Sequence, residues 1–343
     1  MASVSILNPL DVAEWDDLLL ACDCATFFHT AAWAHVLSGS YGYTPLYFTI
    51  IENGRLTGLI PAMEIDSFLT GKRGVALPFT DFCLPIAADS ESFIALQDAV
   101  RAYGRKACWK SIEFRGGENF GHEPAWKSYF THTLAVDQDE NAIFKAFRGN
   151  TRRNIRHAIG AGVSVQRLES REAVAEFFRL HCITRRNHGL PPQPARFFDQ
   201  IYDHIIAAGR GFVMLAWHQC RVVAGAMFFH FKDHAIYKFG ASDRNCQRLR
   251  ANNMVMWESI RWCCQNGIRS FLFGRTEPGN KGLLQFKRAW GTNEDRLEYC
   301  KFDFRAEAFI TEKSRARTFY PFFRIMPMPL LRLAGNLLYR HLG

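Results

Sequence analysis

No stretch of this sequence approaches the roughly 18 consecutive apolar residues that a membrane-spanning helix needs, so no transmembrane segment is expected. The opening residues, MASVSILNPLDVAEWDD, lack a basic segment ahead of an apolar core, and no secretory signal is expected from them. Ten cysteines are present, yet none stand as Cys-x-x-Cys, and no Cys/His framework with zinc spacing accompanies Cys22/Cys24 or Cys263/Cys264. No metal site is expected, and reduced thiols in a cytoplasmic protein are. A G-x-S-x-G elbow, an H-E-x-x-H helix and a dinucleotide fingerprint are all missing. The segment GRTEPGNK, residues 274–281, comes near a phosphate-binding P-loop, but its glycine and lysine are not adjacent. These absences set aside serine hydrolase, zinc hydrolase, nicotinamide-dependent and NTPase chemistry.

What remains is a chain of 343 residues with 48% apolar content, enough for two domains, and a formal net charge of +9. That charge favours an anionic partner: nucleic acid, a phosphorylated substrate or a membrane surface. In the first half, helices are expected at 10–21, 31–37 and 90–107, and strands at 43–51, 55–65 and 111–114. Asn53-Gly54 between the first two strands is a strong hairpin signal. In the second half, helices are expected at 140–147, 151–161, 170–188, 194–208, 252–265 and 283–290. Strands are expected at 163–168, 212–217, 222–231, 235–241, 268–273 and 295–304. In the tail, Leu330, Leu333, Ala334, Leu337 and Leu338 fall on one helical face, with Arg332 and Arg340 off it. Such a helix either lies on a membrane surface or packs on its own domain.

The most informative stretch is residues 267–300. A short aromatic strand runs into a loop rich in Gly, Pro and Asn, and a cationic helix follows, a common way to hold an anionic substrate. Its FGR-T, G-L-x-x-FK-x-x-WG and L-x-Y resemble the closing signature of the FemAB-like transferases, especially the branch found beside exosortase and exopolysaccharide genes. FFHTAAW, GLIPAME, LPFTDF, RRNIRHA followed by GV-x-V, YKFGAS and NNMVMWESI are also similar to that family's phrases, in the same order. The resemblance covers most of the chain. It implies an α+β fold of tandem GNAT-like domains, with mixed, mostly antiparallel sheets flanked by helices. Expected bounds are 1–130 for the first domain, 131–310 for the second and 311–343 for an amphipathic tail. It further implies transfer of an amino acid or acyl group to an amine of an anionic cell-envelope precursor, peptidoglycan or exopolysaccharide. The donor would be aminoacyl-tRNA or acyl-CoA, with no resident cofactor.

Lys287, matching the family's FK lysine, is expected to meet the donor's phosphate or the developing oxyanion, with Phe286 packed beside it. On the helix at 151, Ile155 and Ile159 share a face, and Arg152 and Arg156 line its edge, placed for bidentate phosphate binding. Arg275 and Trp290 complete the signature's substrate side. The basic loop RRNHGLPPQP brings Arg185 and His188 to the border of the acceptor site. Asp81 and Glu258 are the candidate general bases, and substrate-assisted transfer without a protein base is the other course. A cleft between the domains would hold both substrates. Two departures count against close analogy. QRLRANN, residues 247–253, stands where a CoA-using GNAT enzyme carries its glycine-rich turn and contains no glycine, and Leu272 stands before FGR where relatives carry Asp. Two other readings follow from the same residues. One is a CoA-dependent N-acetyltransferase acting on a sugar amine or small molecule. The other is a non-catalytic RNA- or membrane-binding scaffold. Under any of these readings residues 330–342 offer a peripheral contact with the inner membrane. Binding to DNA is not expected.

Overall fold

The computed structural model describes residues 3–116, 123–136, 139–311 and 321–343. Phe319 and Tyr320, at the start of the amphipathic tail, lie outside them. The chain forms two compact units: residues 1–129 with 296–316 and 337–343, and residues 130–295 with 317–336.

The first unit contains β1 (Ser5–Leu7), α1 (Trp15–Leu20), α2 (Ala31–Tyr41), β2 (Thr44–Glu52), β3 (Arg55–Ile65), β4 (Arg73–Val75), β5 (Ile86–Ala87), α3 (Ser90–Lys106) and β6 (Ser111–Arg115). The β2–β3 hairpin turns at Asn53 and Gly54, both at positive φ (51° and 75°), as an Asn-Gly turn requires. Asp89 caps α3 by accepting from the Ser92 N–H. The helix then lays Phe93, Leu96 and Val100 against Phe48, Ile60 and Ile112 of the sheet. The sheet runs β1-β2-β3-β4-β6 and continues into a strand from far along the chain, Asn293–Asp303, antiparallel to β6. That pairing carries residues from Arg296 onward into the first unit. The sequence reading kept them in the second, because a partner strand some 180 residues away leaves no local trace.

The second unit begins within β7 (Lys127–Ala135) and contains α4 (Glu140–Ala146), α5 (Gly149–Gly160), β8 (Ser164–Leu168), α6 (Arg171–Asn187), α7 (Ala195–Ile201), β9 (Gly211–His218), β10 (Arg221–Phe231), β11 (His234–Ser242), α8 (Ala251–Gln265), β12 (Ser270–Leu272) and α9 (Lys281–Arg288). Its sheet order is β7-β12-β11-β10-β9-β8, antiparallel throughout except between β11 and β12. Alternation along β10 sends Ala224, Ala226 and Phe228 into one core with Ile155, Val255, Ile260, Phe271 and Trp290. Gly225 faces the other way, where a Cβ would meet Leu215 and Phe177 of α6. Helices therefore cover both faces of this sheet.

The tail forms α10 (Phe322–Ile325) and α11 (Met328–Leu342). Within the second unit, α11 buries Leu331 completely and brings Gly335 so near the Pro192 carbonyl that a Cβ there would stand 2.1 Å from the oxygen. The docked face is thus Leu331 and Gly335. Leu330 and Leu333, from the leucine face marked in the sequence, are more than half exposed.

Candidate active site

The site grows from an interruption in strand pairing. β10 pairs with β11 along its length, but the register slips between Met227 and Phe228, which leaves Lys238 as an extra residue on β11. A bulge of this kind bends a strand and re-aims its side chains. On its other edge β11 pairs with β12 only over His234, Ala235 and Ile236. There β12 ends, at Leu272, while β11 runs on to Ser242. A turn at Arg244–Leu249 follows β11 and delivers the chain to α8. Asp243, 5% exposed, fixes this turn: one carboxylate oxygen accepts from the Asn245 N–H at 3.0 Å, the other from Arg221 at 2.6 Å. Arg250, the residue before α8, has φ +56°, a conformation that favours glycine, and no side chain caps the helix's first turn.

A cleft of about 200 Å³ opens at this helix start. Asn154 of α5, Ser242 at the end of β11, Arg250, Asn252 and Asn253 around the α8 N-terminus, and Phe286 of α9 all line it. An adjoining depression shares Val223 and Cys246 with it and adds Arg221 and Arg248. Arg250 thus lines the cleft, Arg221 and Arg248 line the depression beside it, and Asp243 is already paired with Arg221. α5 is seated along this edge: the Thr151 hydroxyl donates to the Ala289 carbonyl at 3.1 Å, and His157 Nε2 donates to the Arg248 carbonyl at 3.1 Å. An uncapped helix N-terminus with arginines around it is a physical site for phosphate. Among the described residues Asp243 is the one carboxylate lining the cleft, and no histidine lines it.

Past β12 a second irregularity explains Lys287. The Phe273 N–H donates to the His132 carbonyl, while Thr276 and Phe130 exchange both backbone bonds. Between these pairs Gly274 and Arg275 oppose the single residue Thr131, so this too is a bulge, with Gly274 at φ +70°. The Lys287 ammonium donates to the Gly274 carbonyl at 2.7 Å and to the Arg275 carbonyl at 3.2 Å, and the residue is 2% exposed. Close by, buried His132 donates from Nε2 to Glu294 at 2.8 Å, and Arg288 grips the same carboxylate with two bonds of 2.6 Å. Burial, and then the Lys287 charge, push the His132 pKa down. Arg288 and His132 hold the Glu294 carboxyl below its usual range.

The sequence-derived candidates separate under this geometry. Phe286 lines the cleft. Lys287, one residue on, turns inward to the bulge, since successive helical residues diverge by about 100°. Arg275 contributes a bulge carbonyl. Trp290 is fully buried against Phe147 and Phe273 and is core, not substrate surface. Arg152 is partly buried and Arg156 lies exposed over the Phe144 ring at 5.9 Å. It is Asn154 between them that enters the cleft. Ile159 is 54% exposed, and the buried stripe of α5 is Thr151, Ile155 and Ala158. Arg185 Nε donates to the Pro191 carbonyl and so holds its own loop, while His188 is the exposed C-cap of α6. Glu258 accepts from Arg261 at 3.1 and 3.2 Å, and Arg261 also reaches Glu140. Its carboxylate is committed to that helix-surface cluster, away from the cleft lining. Asp81 belongs to the first unit, where its backbone carbonyl accepts from the Tyr299 hydroxyl. Sequence reasoning missed Asn154, Ser242, Arg250, Asn252 and Asn253 as cleft residues. Its one available signal was QRLRANN, read there for the glycines it lacks.

Residues 145–288 match the family model of the acetyltransferase (GNAT) domain. That span is similar to GNAT acetyltransferase domains. The matched span runs from the end of α4 to the end of α9 and holds the end of β11, the α8 start and Lys287. The chain as a whole has a tandem GNAT fold. It is similar to the crystal structure of FemX over 86% of its own length and 96% of FemX, with 14% identity and a TM-score of 0.69. A tandem GNAT protein from the clavulanic acid biosynthesis pathway matches at TM-score 0.55 and 12% identity, covering 89% of this chain and 99% of that one. The C-terminal domain of a putative lysylphosphatidylglycerol synthetase from Agrobacterium fabrum matches at TM-score 0.54 and 13% identity, over 78% and 86%. A comparison with curated protein sequences finds no match. Among the described residues no helix is long and apolar enough to cross a membrane.

Proposed function

We propose that this acyltransferase moves an aminoacyl or acyl group from an anionic activated donor, aminoacyl-tRNA or acyl-CoA, onto an amine of an anionic cell-envelope precursor of peptidoglycan or exopolysaccharide. The observation that carries the donor half is the cleft at the uncapped start of α8, with Arg250 beside it. There the donor's phosphates meet helix N–H groups and a guanidinium, while the acyl end lies beside Ser242 at the end of β11. The acceptor half rests on the FemAB-like signature and on the likeness to FemX, and the precursor's own charge suits a chain of net charge +9. The amine nitrogen attacks the acyl carbonyl, the C–N bond forms and the C–O or C–S bond to the donor breaks. The amine proton ends on the leaving oxygen or sulfur, a substrate-assisted course that suits a cleft whose one carboxylate is already paired. Lys287 serves this reaction by holding the 274–275 bulge at the end of β12. The protein works at the cytoplasmic side of the envelope.

The test is transfer of a labelled acyl group by the purified chain with each donor class, alongside calorimetry with acetyl-CoA and with aminoacyl-tRNA. Transfer from one donor, lowered about tenfold or more in kcat/KM by Arg250→Ala, is expected. Failure of both donors to bind overturns the reading. Turnover with acetyl-CoA alone, onto a sugar amine or small molecule, replaces the envelope acceptor with the CoA-dependent one.

A further inference from the structure

The tail helices leave an apolar surface that the fold does not use. In the second unit, Phe322 is 53% exposed, Ile325 85%, Leu330 54% and Leu333 53%. These are large side chains on a segment that is otherwise well anchored. Phe323 and Leu331 are buried, Gly335 touches the Pro192 backbone, and the Arg332 guanidinium stacks over Phe178 at 5.1 Å. The exposure is therefore held in place by good packing on the opposite side. Met328, Pro329, Arg332, Leu333 and Asn336 form a shallow hollow on the same helix. The charge around it has one sign: residues 321–343 contain three arginines and neither Asp nor Glu, and Arg324 and Arg332 are exposed beside the apolar side chains. A fixed apolar ridge with cations at its edge complements an anionic lipid surface, where leucines enter the headgroup–acyl boundary and guanidinium groups meet lipid phosphates. A second copy of this segment would bring arginine against arginine.

We propose that α10 and the first half of α11 form a docking surface for an anionic membrane, with Phe322, Ile325, Leu330 and Leu333 inserted and Arg324 and Arg332 on the phosphates. The docking is independent of which donor or acceptor the enzyme uses. The experiment is co-sedimentation of the full-length protein with phosphatidylcholine vesicles and with vesicles containing phosphatidylglycerol, at low and high salt. Binding to the anionic vesicles, weakened by salt, is expected. Ile325→Asp, and separately the pair Leu330→Asp and Leu333→Asp, should lower vesicle affinity about tenfold or more with the thermal melt unchanged. Arg324→Gln and Arg332→Gln should each lower it about fivefold. No binding to the anionic vesicles, or binding that Ile325→Asp leaves intact, overturns the proposal. So does a concentration-dependent dimer in light scattering that the leucine pair abolishes, which would make the surface a self-association face.

Discussion

At the scale of single residues, Lys287 changes meaning most between sequence and structure. Read as a motif it is a cation for a substrate; in the fold its ammonium supplies hydrogen bonds to both carbonyls of the Gly274–Arg275 bulge. Lys287→Ala should therefore destabilise the protein by about 3 kcal/mol, because two carbonyls lose their donor inside the protein. Urea unfolding measures this, and a variant of wild-type stability would return Lys287 to a role in substrate contact. Arg250 is the opposite case. Its φ of +56° suits glycine, so Arg250→Gly should keep stability within about 1 kcal/mol of the parent. Donor affinity in the same variant should fall about tenfold or more, since the charge is gone, and Arg250→Lys should recover part of it. Calorimetry on the three proteins decides; equal affinities would remove Arg250 from the donor site. Neither role was legible in composition or spacing. Which way a side chain points depends on what its helix packs against.

At the scale of elements, the sequence was read well wherever local signals agreed. The Asn53-Gly54 hairpin, the Asp89-capped α3, the Ser170-capped α6 and the run of strands from Gly211 to Ser242 fall near where periodicity placed them. β7 was missed, because its alternation is weak and its partners β12 and Thr276 lie far along the chain. α5 was placed correctly but turned wrongly: Ala158, not Ile159, completes its buried stripe. On α11 the sequence left open whether the leucine face packs or lies on a membrane; Leu330 and Leu333 are exposed, and Leu331 and Gly335 pack instead, since a small residue can outrank a leucine where two backbones approach. Gly335→Val should force a Cβ against the Pro192 carbonyl and cost on the order of 3 kcal/mol. Hydrogen exchange along α11 should then rise in its first half, and unchanged protection there would show that the helix does not depend on that contact.

At the scale of the whole molecule, both units carry a buried neutral histidine whose burial sets an acid limit on stability. In the first unit, burial pushes the His29 pKa down to about 4. In the second, burial and then the Arg185 charge push His181 down to about 3, although its Nε2–H donates to Gln193 at 2.7 Å. The unfolded chain protonates both near their ordinary value of 6.5. As pH falls below 6.5 the unfolded state gains protons that the folded state refuses, and stability drops until the folded pKa values are reached. Above about pH 7 the two contribute no pH dependence. Together they should make the protein roughly 4 kcal/mol less stable at pH 5 than at pH 8. Urea denaturation at the two pH values measures it, and a flat profile would mean that one or both histidines reach solvent.

The sequence by itself determined the Asn53-Gly54 hairpin, the longer helices and the succession of elements from α4 to α9, because periodicity, turn residues and short signatures are local properties. Only the tertiary structure decided that Asn293–Asp303 crosses into the first unit and that β11 pairs with β12 over just three residues. It also decided that Phe286, and not Lys287, meets the cleft. Each of these depends on strand register or helix rotation against a distant partner, and a one-residue slip in either reverses which side chains face the site.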